Sequence, residues 1–160
     1  KRGWDDKWEY FSDWAEKAQD YKQRLLKLVD EDTNAFTLIM DAFGLPKATE
    51  EQISARKSAI IEATKSATMV PYSVMETAYN SMEVMLEMAK TGLPASISDA
   101  GVGAMCARTA IRGAGLNVKI NVMDLDAPDF VNKVLADAKV LEEKAETLET
   151  EIMRLVHVKL

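Results

Sequence analysis

The last third of the chain carries apolar residues at alternating spacings of three and four, and this repeat restricts the fold more than any other feature. Residues three and four apart share one face of an α-helix, so the segment predicts a long amphipathic helix that packs against other helices. The Ala127-Pro128 step or Asp126 is expected to begin it, and the charged residues within 142–149 are expected to form its solvated face. The stripe consists of Val131, Val134, Ala138, Leu141, Ala145, Leu148, Ile152 and Leu155.

The first part of the chain shows a similar apolar stripe over about 30 residues. Gly44 and Pro46 are expected to end this first helix, because both residue types stop helices. Trp4 and Trp8 precede the stripe, and an aromatic cluster there either caps the bundle or contacts another chain. The stripe consists of Phe11, Trp14, Ala18, Tyr21, Leu25, Leu28, Phe36, Ile39 and Phe43.

Local signals mark a second helix. Thr49 followed by a Glu-Glu-Gln run predicts a capping box at its start, and Gly92 predicts its end. Pro71 removes one backbone donor inside this helix, so it is expected to kink the helix or to split it. The five methionines within 69–88 are expected to fill the core, the alternative being a ligand cleft.

A third helix is rich in small residues. Ser98 is expected to be its N-cap and Asp99 to lie in its first turn, and glycine and alanine recur from Ala100 to Gly115. A glycine inside a helix costs up to about 1 kcal/mol relative to alanine, so close approach to a neighbouring helix is the expected compensation. We therefore expect the third helix to be central.

Composition limits the classes of function. The 160 residues include 20 basic and 26 acidic side chains, a net charge of −6, which argues against binding to nucleic acid or to an anionic membrane. One cysteine and one histidine exclude an intramolecular disulfide and a His/Cys metal cluster, and a reduced, cytoplasmic compartment fits. No apolar run approaches the roughly 18 residues that a membrane-spanning helix needs. We predict one all-α domain over 1–160, an antiparallel bundle of four to five long helices that forms a homodimer.

Asp32 occupies the slot between Leu28 and Phe36 in the first stripe, so the pattern predicts a carboxyl group aimed at the core. Burial disfavours the charged form. Such an aspartate is either a hydrogen-bonded structural group or a proton-holding general acid. The pattern alone favours the structural role, and Asp30 and Asn34 project from the adjacent faces.

The third helix carries the other polar groups. Asn117 and Asn121 lie one turn apart, and Asp99 lies at the opposite end. Two amides on one face suit the edge of a heterocycle or an interhelical hydrogen bond, and the spacing alone favours the hydrogen bond. Arg108 and Arg112 either meet anionic ligand groups or pair with surface carboxylates.

Two further reactive side chains have simpler interpretations. Cys106 lies among alanines and methionines and is expected to be an inert, buried thiol. His157 is expected on the surface of the last helical turn. A Gly-rich phosphate loop and a Ser-His-Asp arrangement are both missing from the sequence.

The segment Leu28–Phe36, LVDEDTNAF, resembles the cyclodeaminase domain of formiminotransferase-cyclodeaminases, the folate enzymes of histidine degradation. The resemblance covers nearly the whole chain. It continues in the family's order with Leu45-Pro46-Lys47, Glu62-Ala63-Thr64-Lys65, Val70-Pro71, Ser98-Asp99 and Asn117-Val118-Lys119-Ile120-Asn121.

The resemblance implies an all-helical dimer that converts 5-formiminotetrahydrofolate to 5,10-methenyltetrahydrofolate with loss of ammonia, without metal or other cofactor. Asp32 matches the family's proton donor, so both lines of reasoning meet on one residue. Asp99, Asn117 and Asn121 match motif positions that line the pterin site. Lys65 matches a candidate for the carboxylate tail of the folate, which carries one or several glutamates.

The family's domain usually begins with a helical segment containing a Pro-Gly-Gly-Gly-Ser stretch, and nothing like it precedes Trp4. The domain is therefore expected to be N-terminally incomplete. The formiminotransferase domain is also missing from this sequence, so that activity is expected, if at all, from a partner. Two alternatives remain: a methenyltetrahydrofolate cyclohydrolase at the same site, or a non-enzymatic helical interaction module.

Overall fold

The computed structural model describes residues 5–160, and every long element in that range is an α-helix. The predicted all-α bundle is confirmed there, while the expectation for Trp4 lies outside the described residues. Short 3-10 helices at Asp5–Lys7 and Pro94–Ser96 precede two of the long helices. The long helices are α1 (Trp8–Gly44), α2 (Glu50–Thr91), α3 (Ile97–Asn121) and α4 (Pro128–Lys159).

Most helix ends lie where the local signals placed them. The Thr49 hydroxyl accepts a hydrogen bond from the backbone N–H of Gln52 at 3.3 Å, and the Gln52 side chain accepts one from the N–H of Thr49, also at 3.3 Å. This is the predicted capping box. The ends at Gly44 and before Gly92, and the start at Pro128, are likewise confirmed.

Two local predictions need revision. Of the two alternatives for Pro71, the split is excluded, because Pro71 lies inside the single 42-residue helix α2, and the kink stays a prediction. Ser98 is not the N-cap of α3, since the helix begins one residue earlier, at Ile97. The 3-10 turn at Pro94–Ser96 brings the chain into helical geometry before Ser98 is reached.

The core lies where α2, α3 and α4 pack together. Met75, Met82 and Ile111 are fully buried, as are the small residues Ala104 and Ala138 on facing helices. Burial of two of the five methionines supports their expected core role. The predicted stripe of α4 also faces the core: its residues are buried or pack against the buried cluster.

Small residues bring α3 close to its neighbours. A Cβ atom on Gly101 would lie 3.3 Å from the Met153 sulfur of α4, and one on Gly103 would lie 3.1 Å from Cγ of Met85 on α2. The close approach that the composition predicted is therefore present, and α3 packs on both α2 and α4. The expectation that α3 is the central helix is wrong, because α2 is the helix that packs on all three other long helices. α1 packs along α2 and lies outside the main core.

Candidate functional site

A groove runs along α2, with α1 as one wall and α3 as the other. Both walls pack on α2, and the two helices scarcely touch each other. Three adjoining cavities of about 440, 190 and 530 Å³ follow this groove from Leu25 to Lys47. The first is mainly apolar, the second is the smallest, and the third is lined by five charged side chains. Neighbouring cavities share lining residues, so the three lie in sequence between the walls.

Asp32 and Asn117 line the first two cavities from opposite walls. Pro71 of α2 forms the floor between them, and Asn121 joins the lining of the second cavity. Three of the five residues that sequence and resemblance selected are therefore brought to one stretch of the groove. A carboxylate facing two amides offers a proton acceptor and donor beside groups that recognise the edge of a heterocycle.

The prediction that Asp32 points into the core is wrong. The buried positions of α1 are Leu28, Ala35 and Ala42, which are spaced by seven residues. At about 100° per residue, Asp32 lies roughly 40–60° to one side of that seam. It is exposed and faces the groove. The pattern was misaligned because Phe36, taken as a core residue, is 63% exposed.

Asn121 has a structural task as well as a place on the groove. Pro71 has no N–H, so it cannot donate to the carbonyl of Ala67 four residues earlier in α2. The Asn121 amide instead donates to the Ala67 oxygen at 3.4 Å. The interhelical hydrogen bond that the spacing favoured is therefore present for Asn121. The same bond satisfies the carbonyl that the proline leaves open and ties α3 to α2.

Asp99 and Lys65 lie away from these cavities. Asp99 is exposed in the first turn of α3, and a helical rise of about 27 Å separates it from Asn117. The Lys65 ammonium pairs with the Glu62 carboxylate at 2.7 Å. Within one chain, the structure does not bring either residue to Asp32, and their roles stay predictions.

The Arg108 guanidinium pairs with carboxylates, as one of its two interpretations predicted. It lies 2.9 Å from Glu146 and 3.4 Å from Glu149, and it donates to the backbone oxygen of Glu142 at 2.9 Å. These contacts join α3 to α4. Arg112, one turn further, is exposed.

The predictions for Cys106 and His157 differ in outcome. Cys106 is exposed, so the prediction of a buried thiol is wrong. The neighbouring small residues were a misleading sign of burial. His157 is exposed near the end of α4, as predicted.

An exposed apolar stripe borders the groove, and the sequence analysis missed it. Its six members are spaced three or four residues apart along the helix. This second periodic series could have predicted the stripe from the sequence. On α3 and the turn after it, Leu116, Ile120 and Met123 are also exposed, and Ile120 lines the third cavity. We call the first set the α1 stripe: the apolar residues Leu26, Val29, Phe36, Met40 and Phe43, with the polar Thr33 between them.

The third cavity contains basic residues that the sequence analysis also missed. Lys47 follows the end of α1, and Arg56 and Lys57 lie in the second turn of α2. Their shared position around the α1–α2 turn could have predicted this basic cluster from the sequence. Across residues 5–160, no group of three His, Cys, Asp or Glu side chains is placed to hold a metal ion. None of the described helices has the length and apolar character that crossing a membrane requires.

Comparison with known proteins identifies the family. The model of the formiminotransferase-cyclodeaminase family matches residues 1–140. A methenyltetrahydrofolate cyclohydrolase of Methylorubrum extorquens is 34% identical, over 90% of this chain and 69% of its own length. The formimidoyltransferase-cyclodeaminase of Rattus norvegicus is 33% identical over 78% of this chain, which corresponds to only 23% of the rat protein.

A solved structure has the same fold. The formiminotetrahydrofolate cyclodeaminase of Thermotoga maritima superposes with a TM-score of 0.83 over 98% of this chain and 74% of its own, at 20% sequence identity. At that identity the likeness shows the fold. Together with the family model and the cyclohydrolase relative, it leads to one conclusion. The chain belongs to the formiminotransferase-cyclodeaminase family of folate-converting enzymes.

Proposed function

We propose that this chain converts 5-formiminotetrahydrofolate to 5,10-methenyltetrahydrofolate and releases ammonia. The observation that carries the proposal is the placement of Asp32 opposite Asn117, across a groove in a chain of this folate family. The groove is elongated, as a folate is. Its first cavity is largely apolar and has the Asn117 amide at one edge, which suits a flat heterocycle with polar edges.

Asp32 moves one proton in the proposed reaction. N10 of the folate attacks the carbon of the protonated formimino group, so the N10–C bond forms and the carbon becomes tetrahedral. The Asp32 carboxylate accepts the proton that N10 gives up and passes it to the amino nitrogen. That nitrogen leaves as ammonia when its bond to carbon breaks. The methenyl bridge retains the positive charge, so atoms and charge balance.

Asp32 is suited to this relay because it is exposed on the groove wall and lines the same cavity as Asn117. In this relay the carboxyl group acts first as a base and then as an acid. Asn117 and Asn121 contribute positioning, since their amides offer donors and acceptors to the pterin edge. Closing the groove to water would strengthen each of these contacts.

The homodimer belongs to the proposal, and the α1 stripe supports it. Phe36 and Met40 are each more than half exposed beside the groove. Exposed apolar surface of this extent commonly marks an interaction site. A second copy packed on α1 and α3 would cover the groove mouth and exclude water from it. A formiminotransferase, the other activity named in the longer relatives, would supply the formimino substrate.

The second candidate is a methenyltetrahydrofolate cyclohydrolase. One observation favours it: the relative that bears this name matches 90% of this chain. The same groove and the same Asp32 serve both reactions, because both act at the bridge between N5 and N10. Water takes the place of ammonia as the exchanged molecule.

Supplying each folate separately tests the proposal. We expect the chain to form the methenyl chromophore from 5-formiminotetrahydrofolate with one ammonia released for each methenyl group. Hydrolysis of methenyltetrahydrofolate with no turnover of the formimino compound would establish the cyclohydrolase instead. A folded protein that turns over neither folate would favour the interaction module.

A further inference from the structure

Pro71 and Asn121 connect α2 and α3 at the floor of the groove. Pro71 is buried and lines the first and second cavities, while Asn121 lines the second and third. Because a proline has no N–H, the Ala67 carbonyl lacks its usual donor one turn along α2. The Asn121 Nδ2 atom donates to that oxygen at 3.4 Å. A missing backbone donor on one helix thus determines the partner of a side chain on another.

This hydrogen bond fixes which way round the Asn121 amide lies. A side-chain amide carries its donors on the nitrogen alone, and a backbone carbonyl oxygen can only accept. The nitrogen must therefore face Ala67, and the amide oxygen points to the other side of the terminal carbon. An amide turned over would place two acceptor oxygens together and leave the Ala67 carbonyl without a donor.

The Asn121 oxygen is left accessible in the groove. Within residues 5–160, the bond to Ala67 is the one hydrogen bond that this side chain makes. In that range, no enclosed nitrogen or oxygen of a buried or half-buried side chain lacks a partner. Asn121 is half-buried, so its oxygen, which has no partner, is accessible. The groove therefore presents an acceptor where the second and third cavities meet.

Asn117, one turn earlier on α3, provides the contrast. It is exposed and lines the first and second cavities. Its side chain makes no hydrogen bond within the described part of the chain, so it can turn either its donors or its acceptor towards a ligand. The two asparagines share the second cavity, but one has a fixed polarity and the other can adapt.

We propose that Pro71 is a positioning residue that acts through Asn121 and fixes this point of the groove as a hydrogen-bond acceptor. This inference rests on the proposed function, in which the ligand is a reduced folate. The ring N–H and amino groups of a reduced pterin are donors that fit such an acceptor, whereas a ligand group with acceptors alone is repelled there. An amide that is already oriented in the free protein also spares the free energy of ordering it on binding.

A double-mutant cycle on ligand binding tests whether Pro71 acts through Asn121. The probe is 5-formyltetrahydrofolate, in which a formyl oxygen replaces the formimino nitrogen, and calorimetric titration gives its Kd. We expect Pro71→Ala to raise Kd by roughly two- to tenfold, because the new N–H bonds to Ala67 and frees the Asn121 amide. In an Asn121→Ala background the same substitution should leave Kd unchanged. An equal rise in both backgrounds, or none in either, would overturn the proposal.

Asn117→Ala is the matched control for this cycle. Asn117 lines the second cavity as Asn121 does but makes no bond to Ala67. In its background Pro71→Ala should therefore raise Kd by the same factor as in the parent chain. If the effect of Pro71→Ala disappeared here as well, the coupling would not be specific to Asn121, and the proposal would be wrong.

Hydrogen exchange of the side-chain amides, followed by NMR in the free protein, tests the pair independently of any folate. The Asn121 amide protons should exchange several-fold more slowly than those of Asn117, and Pro71→Ala should narrow this difference. Equal exchange in the parent chain would overturn the proposal even if the folate is turned over. Slow Asn121 exchange and the expected cycle, without turnover of 5-formiminotetrahydrofolate, would contradict the proposed reaction and leave the role of Pro71 standing.

Discussion

Arg108 and Arg112 lie one turn apart on α3, yet their surroundings differ. The Arg108 side chain is 13% exposed and bridges to α4 through Glu146 and Glu149. Arg112 is exposed. The sequence showed two equivalent arginines, because the spacing along a helix does not reveal which residues the next helix presents.

Arg108→Ala is expected to lower the free energy of unfolding by about 1–3 kcal/mol, since it removes several charge-assisted contacts from a largely buried position. Arg112→Ala should change it by less than about 0.5 kcal/mol. Urea denaturation of both variants provides the comparison. Equal effects would mean that the contacts of Arg108 contribute little to the fold.

The Tyr21–Glu83–Lys17 cluster between α1 and α2 gives the stability a pH dependence. Burial acts to raise the pKa of Glu83, but hydrogen bonds from Lys17 and Tyr21 outweigh it and hold the pKa below the ordinary value of 4.5. Burial and the Glu83 carboxylate raise the pKa of Tyr21 to about 12. The folded state therefore favours ionised Glu83 and neutral Tyr21.

A carboxyl group whose pKa is lower in the folded than in the unfolded protein stabilises the fold when the pH lies above its unfolded pKa. This contribution disappears as the pH falls below about 4.5. A raised tyrosine pKa makes stability fall as the pH rises from about 10 to 12. Glu83→Gln should flatten the acid limb of a plot of unfolding free energy against pH and soften the alkaline limb. An acid limb unchanged by Glu83→Gln would assign it to other carboxylates.

At the scale of the element, α2 shows which structural features short sequence signals can predict. Its capping box at Thr49 and its end before Gly92 follow from contacts within a few residues, so local reading was sufficient. Whether Pro71 interrupts the helix depended on the hydrogen bond from Asn121, which lies on another helix. The buried face of α1 was also misjudged. The helix carries two apolar series, and packing against the other helices determines which of the two is buried.

Asn121→Ala is expected to cost about 1 kcal/mol, because it leaves the Ala67 carbonyl without its donor. Asn117→Ala should cost less, since Asn117 makes no comparable bond within the described residues. In a Pro71→Ala background the residue at position 71 has its own N–H, which can bond to Ala67. The additional cost of Asn121→Ala should therefore shrink, and a double-mutant cycle measures this coupling. Strict additivity would contradict the account.

At the scale of the whole molecule, the groove and the exposed apolar surface share one side of the bundle. The sequence predicted the all-α class because the periodicities are long and the chain has few helix breakers. It could not predict the groove, which exists because α1 and α3 both pack on α2 and leave a gap between them. That arrangement brings together Asp32 and Asn117, which are far apart in the sequence.

The proposed homodimer predicts a mass in solution of twice 17.8 kDa. Leu26→Glu combined with Met40→Glu should shift the protein towards the monomer, because both side chains lie on the α1 stripe and are exposed in one copy. Neither residue lines the three cavities of the groove. Sedimentation equilibrium measures the shift. A parent chain that sediments as a monomer would rule out this interface.

The most direct test of the proposed function is the turnover number of Asp32→Asn with 5-formiminotetrahydrofolate, followed by methenyl absorbance and ammonia release. The substitution removes proton transfer at the groove wall, so kcat should fall by about 10²- to 10⁴-fold. The exposed position predicts an unchanged melting temperature. Asp30→Asn, at an exposed aspartate outside the cavities, should retain full activity. Undiminished turnover in a folded Asp32→Asn protein would contradict the central role of this carboxylate.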